Sequence, residues 1–117
     1  MTEIPAILIA ALIMVESGGR AHPPRGRDGE VGPLQIRAVV VDDLRRLGHQ
    51  FAYEDRHDRA KSEEMCRLYL GHYATAERLG REPTLEDMAR IWNGGPRGYR
   101  KVSTKAYWRK VRVRLPP

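Results

Sequence analysis

"MVESGGRAHPPRGRDGEVGPLQI", Met14 to Ile36, leaves an apolar run at a single acid, crosses a loop rich in glycine, proline and charge, and turns apolar again at "GPLQI". Core packing accounts for the apolar ends and leaves the acid, Glu16, unexplained. Upstream, "IPAILIAALIMV" from Ile4 to Val15 is almost unbroken apolar sequence. With Glu16 and Ser17 it reads as a first helix from about Ile4 to Ser17. Gly18-Gly19 stops it, because glycine takes the left-handed conformation that closes a helix. The run is well short of the roughly 20 residues that span a bilayer. A signal peptide carries positive charge before its apolar core and small residues after it; here Glu3 precedes and Glu16 follows. A buried helix and no membrane span are therefore expected. The compartment stays unassigned, and a protein of this sequence acting outside the cell would be expected to depend on phage-type release or another export route.

Downstream of the acid, Arg20 to Val31 suits an irregular segment or short hairpin. Pro33 or Leu34 is expected to open a second helix through "RAVVVDDLRRLG" to Gly48, with Val40, Val41, Leu44 and Leu47 on its apolar side. "HQFAYEDRHD" reads as a solvated loop. A longer helix is expected from about Arg59 to Leu79, its stripe traced by Met65, Leu68, Tyr69, His72, Ala76 and Leu79, with Gly80 closing it. Thr84 and Asp87 form a capping box for a helix ending near Trp92, before "NGGPRG". A last helix, from Ser103 or Thr104 to Arg114, turns Tyr107, Trp108, Val111 and Leu115 inward and its cations outward. The only strand signal lies in the loop after Glu16. The expectation is a mainly α protein of about five helices, a single domain over residues 1 to 117, a length sufficient for one core.

The chain carries 21 basic and 15 acidic residues, a formal charge of +6. Such a surface attracts polyanions, among them nucleic acid, anionic lipid and cell-wall polymers, and charge alone does not choose. The single Cys66 excludes an internal disulfide framework and a thiolate metal cage. His22, His49, His57 and His72 show no paired metal-ligand spacing, so no metal or cofactor is called for. "GGPRG", Gly94 to Gly98, follows a helix rather than a strand and lacks the Lys-Ser/Thr ending of a phosphate loop. "YWRKVRVRL" mixes aromatics with cations as a nucleic-acid binder would, but on a helix those aromatics face inward, and no nucleic-acid partner is expected.

On a helix, Glu16 shares a face with Leu12 and Ile13 and lies above Ile9. Burial disfavours its ionised form, the negative helix end does the same, and no cation sits beside it within the helix. A carboxylic acid that keeps its proton near neutrality can protonate a leaving oxygen, as glycosidic cleavage requires. The plainer alternative, a solvated helix end, fits the periodicity as well.

"VESGG", "GPLQI" and "DMARIWNGGPRGYRKVSTKAYWRKV" resemble, in order and spacing, the successive motifs of the lysozyme-like superfamily. Two branches are similar: soluble, goose-lysozyme-like lytic transglycosylases, and invertebrate-type (destabilase) lysozymes, which also match over the back half. The resemblance covers most of the chain and is weakest from about Arg37 to Arg81. It implies a lysozyme-like fold and cleavage of peptidoglycan glycan strands, with Glu16 as the catalytic acid. The invertebrate-type branch places a second carboxylate in the following loop, where Asp28 is the nearest match and Glu30 its rival. The loop from Asp28 to "GPLQI" is shorter than in that branch, and its cysteines are absent. The transglycosylases need no second carboxylate. By the same resemblance Gln35 faces the cleft, although it could equally serve a helix-start hydrogen bond. Asn93 is expected both to cap its helix and to bind a sugar amide. Ser17 and Tyr107 fall near the acid and could orient it or the substrate, with core packing the alternative for Tyr107. Trp92 and Trp108 could stack on sugars or belong to the core. Three readings follow: a muramidase, a lytic transglycosylase, or a silent glycan-binding module, each suited to anionic wall polymers.

Overall fold

A computed structural model describes residues 3–117. Helix α1 (Ala6–Ser17) starts after Pro5, whose fixed φ suits a helix entrance, and ends on Gly18 at φ 65°. Leu8, Ile9, Leu12 and Ile13 are all but sealed from solvent, so the apolar run forms the spine of the core.

The expected second helix begins later than its sequence suggests. Residues 31–36 instead fold into a tight turn: Val31 and Ile36 exchange backbone hydrogen bonds of 3.2 and 2.9 Å, and the Gln35 amide donates to Gly32 O at 3.0 Å. This bridge is the whole of the β pairing among the described residues. Arg37 stays extended, and α2 (Ala38–Arg46) runs from there, burying Val41 and Leu44.

"EDRHD" is not the solvated loop expected of it. Residues 53–57 form a 3-10 turn in which Arg56 is buried. Its Nη1 donates to Ile36 O at 2.9 Å and its Nε to Tyr53 O at 2.8 Å, while its own carbonyl accepts from Ser62 Oγ at 2.7 Å. Arg56 thus ties the 31–36 turn, through its side chain, to the following helix, through its carbonyl, and every buried polar atom of the guanidinium is satisfied. Gly32, at φ 81°, lies directly over this carbonyl: a Cβ there would fall 1.8 Å from Arg56 O. No other residue fits that position.

Helix α3 (Arg59–Tyr73) is capped by Asp58, which accepts from Lys61 N at 2.8 Å. The expected single helix to Leu79 is broken. Ala74 leaves the helical region, and Thr75 caps a separate short α4 (Ala76–Leu79) by accepting from Arg78 N. A threonine hydroxyl offers the backbone this alternative to a continuing helix. Gly80 closes the segment at φ 77°.

The capping box appears as expected at α5 (Leu85–Gly94), which runs past Trp92. Thr84 Oγ1 accepts from Asp87 N, and Asp87 accepts from Thr84 N and from both Arg81 guanidinium nitrogens. Two 3-10 turns, 98–100 and 102–104, lead into α6 (Lys105–Arg112), shorter than the expected span. Helix α5 packs against α1, α3 and α6, so the first and last helices meet around it. The result is six α-helices and no strand among the described residues, a mainly α fold.

Candidate active site

Glu16 is half-buried in the last turn of α1, beside a cleft of about 680 Å³. The cleft is walled by residues of the 28–37 segment, by Val39, Val40, Asp42, Asp43 and Arg46 of α2, and by Tyr69, Trp92, Asn93, Gly95 and Pro96 from α3 and the end of α5. Burial pushes the Glu16 carboxyl up to about 7. Tyr107 acts against that rise by donating its hydroxyl to Glu16 Oε2 at 2.8 Å, the negative charge of Glu30 adds to it, and Lys110 opposes it. The Tyr107 hydroxyl is itself held well above its ordinary range by burial and by Glu16.

Glu16, Asp28, Gln35 and Asn93 are brought together on this one cleft, and Glu30 joins them. The two loop carboxylates are presented differently. The Glu30 carboxylate accepts from Asp28 N at 2.6 Å and lies across Gly26, where a Cβ would come within 2.7 Å of its Oε1. Asp28 is exposed, with its backbone rather than its side chain committed to the turn.

Gln35 occupies the left-handed region at φ 49°, alone among the described non-glycine residues. Such a conformation costs about 1–3 kcal/mol. Its flanking anchors offset that: Leu34 and Ile36 are completely buried, each contributing roughly 1.5–3 kcal/mol. The Gln35 Nε2 donates to Gly32 O at 2.9 Å, which fixes the side-chain amide in the turn. The alternative role at a helix start falls away, because α2 begins at Ala38.

Two expectations need correction. Ser17 is buried at 2% exposure and its Oγ donates to Ile13 O at 3.1 Å, so it neither lines the cleft nor orients the acid. A serine one residue past Glu16 points a hundred degrees around the helix, into the core. Asn93 is exposed on the cleft but does not end its helix. Gly95 does, with its N–H donating to Ile91 O. Tyr107, by contrast, reaches Glu16 rather than serving only as packing. Trp92 lines the cleft and meets Tyr69 edge-on at 5.8 Å, while Trp108 packs against the core away from it.

The far wall was not evident in the sequence. Arg37, Asp42, Asp43 and Arg46 line it, in the segment where the family motifs are weakest. Arg46 Nη2 donates to Asp43 Oδ1 at 2.5 Å and to Tyr73 OH at 3.2 Å, and Tyr73 donates to Asp43 Oδ2. Burial works to raise the Asp43 carboxyl, but these partners outweigh it and hold it below its usual range. The polar positions opposite Val41 and Leu44 were the available signal. His49 and His72, distant in sequence, also meet, with Nε2 atoms 2.9 Å apart. Among the described residues no group of three or more metal-ligating side chains is assembled.

No known family model matches the chain. It is 33% identical to the lysozyme of Magallana gigas over 113 residues, covering 92% of this chain and 78% of that protein. A stretch of 54 residues, 46% of the chain, is 41% identical to lysozyme 1 of Crassostrea virginica, spanning 28% of its length. The fold superposes, with a TM-score of 0.77 and 25% identity, on a chain from the crystal structure of Aeromonas hydrophila PliI in complex with Meretrix lusoria lysozyme, over 94% of this chain and 89% of that one. An acid closing the first helix, a tight turn at "GPLQI" and a tyrosine returning from the last helix thus accompany sequence similarity along nearly the whole chain. The chain has a lysozyme-like fold and belongs to the invertebrate-type lysozyme family.

Proposed function

We propose that this protein is a muramidase, cleaving the β-1,4 bond between N-acetylmuramic acid and N-acetylglucosamine in peptidoglycan, with Glu16 as general acid. The observation that carries the reading is a carboxyl held up to about 7 by burial, beside an open cleft of about 680 Å³. An acid of that strength is protonated in a large fraction of molecules near neutrality. It can give its proton to the glycosidic oxygen as the carbon–oxygen bond breaks.

The sugar left behind carries positive charge at its anomeric carbon. Asp28 and Glu30, on the loop facing the same cleft, are the carboxylates available to meet it. Water then supplies the hydroxyl to that carbon and its proton returns to Glu16, which closes the cycle. Gln35 and Asn93 offer amide donors and acceptors for sugar hydroxyl and N-acetyl groups. Tyr69 and Trp92 offer apolar surface for a pyranose ring.

The test is digestion of purified wall with mass-resolved products, on wild type and Glu16→Gln. Hydrolysis leaves a reducing muramyl end, and the variant should lose at least about 100-fold in rate. A 1,6-anhydromuramyl end would assign transglycosylation instead, with Glu16 as acid and then base. Glycan binding without cleavage by either protein would assign a silent binding module. Unchanged cleavage by Glu16→Gln would remove Glu16 from the reaction.

A further inference from the structure

All 15 acidic residues lie at or before Asp87, whereas nine of the 21 basic residues lie after it. The net charge therefore joins a mildly acidic body to a strongly basic last quarter. Of those nine, Arg90 is buried and bonded to Glu86, Thr104 and Lys101 O, and Lys101 reaches Gly94 O. Arg97, Arg100, Lys105, Arg109, Lys110, Arg112 and Arg114 are exposed. None of them enters an ion pair among the described residues.

Helix α6 turns Val111 fully inward, with Tyr107 and Trp108 packed beside it. Its outer side exposes Lys105, Ala106, Arg109, Arg112 and Val113, continued backward by Val102 in the preceding turn. Val102 and Val113 are 78% and 74% exposed, the most open of the large apolar side chains. Within α6, Lys105, Arg109 and Arg112 recur at spacings of four and three residues on one side, and Val102 and Val113 flank the helix at its two ends. That face contributes nothing to the cleft.

We propose that the outer face of α6 docks the protein on an anionic lipid bilayer. Cations close to a negatively charged leaflet are drawn to its headgroups. The two valines, set among those cations, can enter the boundary between headgroups and acyl chains and withdraw apolar surface from water. A soluble polyanion would engage the same cations and leave the valines in water. Single-stranded nucleic acid would also want aromatic platforms, and Tyr107 and Trp108 are turned to the core. The proposal does not depend on the chemistry assigned to the cleft.

Flotation of the full chain with vesicles of equal parts phosphatidylglycerol and phosphatidylcholine, against phosphatidylcholine alone, tests it. The protein should float with the anionic vesicles only, and less so as salt rises. Lys105→Glu/Arg109→Glu/Arg112→Glu should abolish flotation. Val102→Ser/Val113→Ser, which keeps every charge and changes only exposed side chains, should lower vesicle partitioning several-fold while leaving binding to soluble polyphosphate unchanged. Circular dichroism confirms that both variants fold. If the serine variant floats as well as wild type, or if wild type binds polyphosphate or DNA but not anionic vesicles, the face serves soluble polyanions and the membrane proposal is overturned.

Discussion

Tyr107 donates its hydroxyl to Glu16 Oε2 at 2.8 Å, joining the last helix to the end of the first across 91 residues of sequence. The bond favours the ionised carboxylate and so opposes burial, which raises the same group. It also fixes which oxygen remains for the substrate. Tyr107→Phe keeps the ring and removes only the donor. The basic limb of the activity profile should then move to higher pH, and the rate at its optimum should fall about tenfold, in line with losing one hydrogen bond to a charged group. Loss of activity at all pH values with an unmoved limb would mean that the tyrosine acts only through packing.

Glu16 also links stability to pH, with a definite sign. Its proton affinity is higher in the folded protein, about 7, than its ordinary value of 4.5. The folded state therefore binds more protons between those values, and stability falls as pH rises through that window. The penalty is absent below about 4.5, complete above about 7, and at most about 3–4 kcal/mol. Glu16→Gln never ionises. Its melting temperature should match or trail wild type at pH 4 and exceed it at pH 8.5. Parallel melting curves across this range would show that the carboxyl is not held in a desolvated site.

The two loop carboxylates should separate kinetically. The charge of Glu30 raises Glu16, whereas Asp28 is exposed to solvent, which screens its charge. Glu30→Gln is expected to shift the basic limb toward lower pH. Asp28→Asn should leave that limb in place and lower kcat, as removing a group that meets the charged sugar would. If Asp28→Asn keeps full kcat while Glu30→Gln loses it, the second carboxylate is Glu30.

Gly32 is a structural requirement of the cleft. Gly32→Ala would place a methyl group where the Arg56 carbonyl lies and demand a positive φ of a residue with a side chain. Destabilisation of more than about 2 kcal/mol is expected, measured by urea unfolding. Because Gln35 shares this turn, weaker substrate binding should accompany it even where the variant is folded. Gly48→Ala, with open space around it at φ 96°, carries the backbone cost alone and should be milder.

The elements that read clearly in the sequence are those whose signal is local. The apolar run from Ile4 to Val15 fixes α1, Gly18 stops it, and Thr84 with Asp87 caps α5 through side chains three residues apart. What misled was also local chemistry with a competing solution. Pro33 marks a helix start in one context and a tight turn in another, and the turn is held because Arg56, 20 residues beyond Ile36, adds a second donor to the Ile36 carbonyl that already closes it with Val31. Thr75 offered a cap that ended α3 early.

Sequence by itself determined the helical class, the position of Glu16 at a helix end beside apolar neighbours, and the direction in which burial moves its proton, since each depends on residues within a turn or two. Tertiary structure alone decided that Ser17 faces the core, that Tyr107 rather than Ser17 holds the acid, and that Glu30 bears on it. It also decided that α2 supplies the far wall of the cleft. Those outcomes depend on helices crossing, and crossing is governed by the fit of whole apolar faces, which no short stretch of sequence contains.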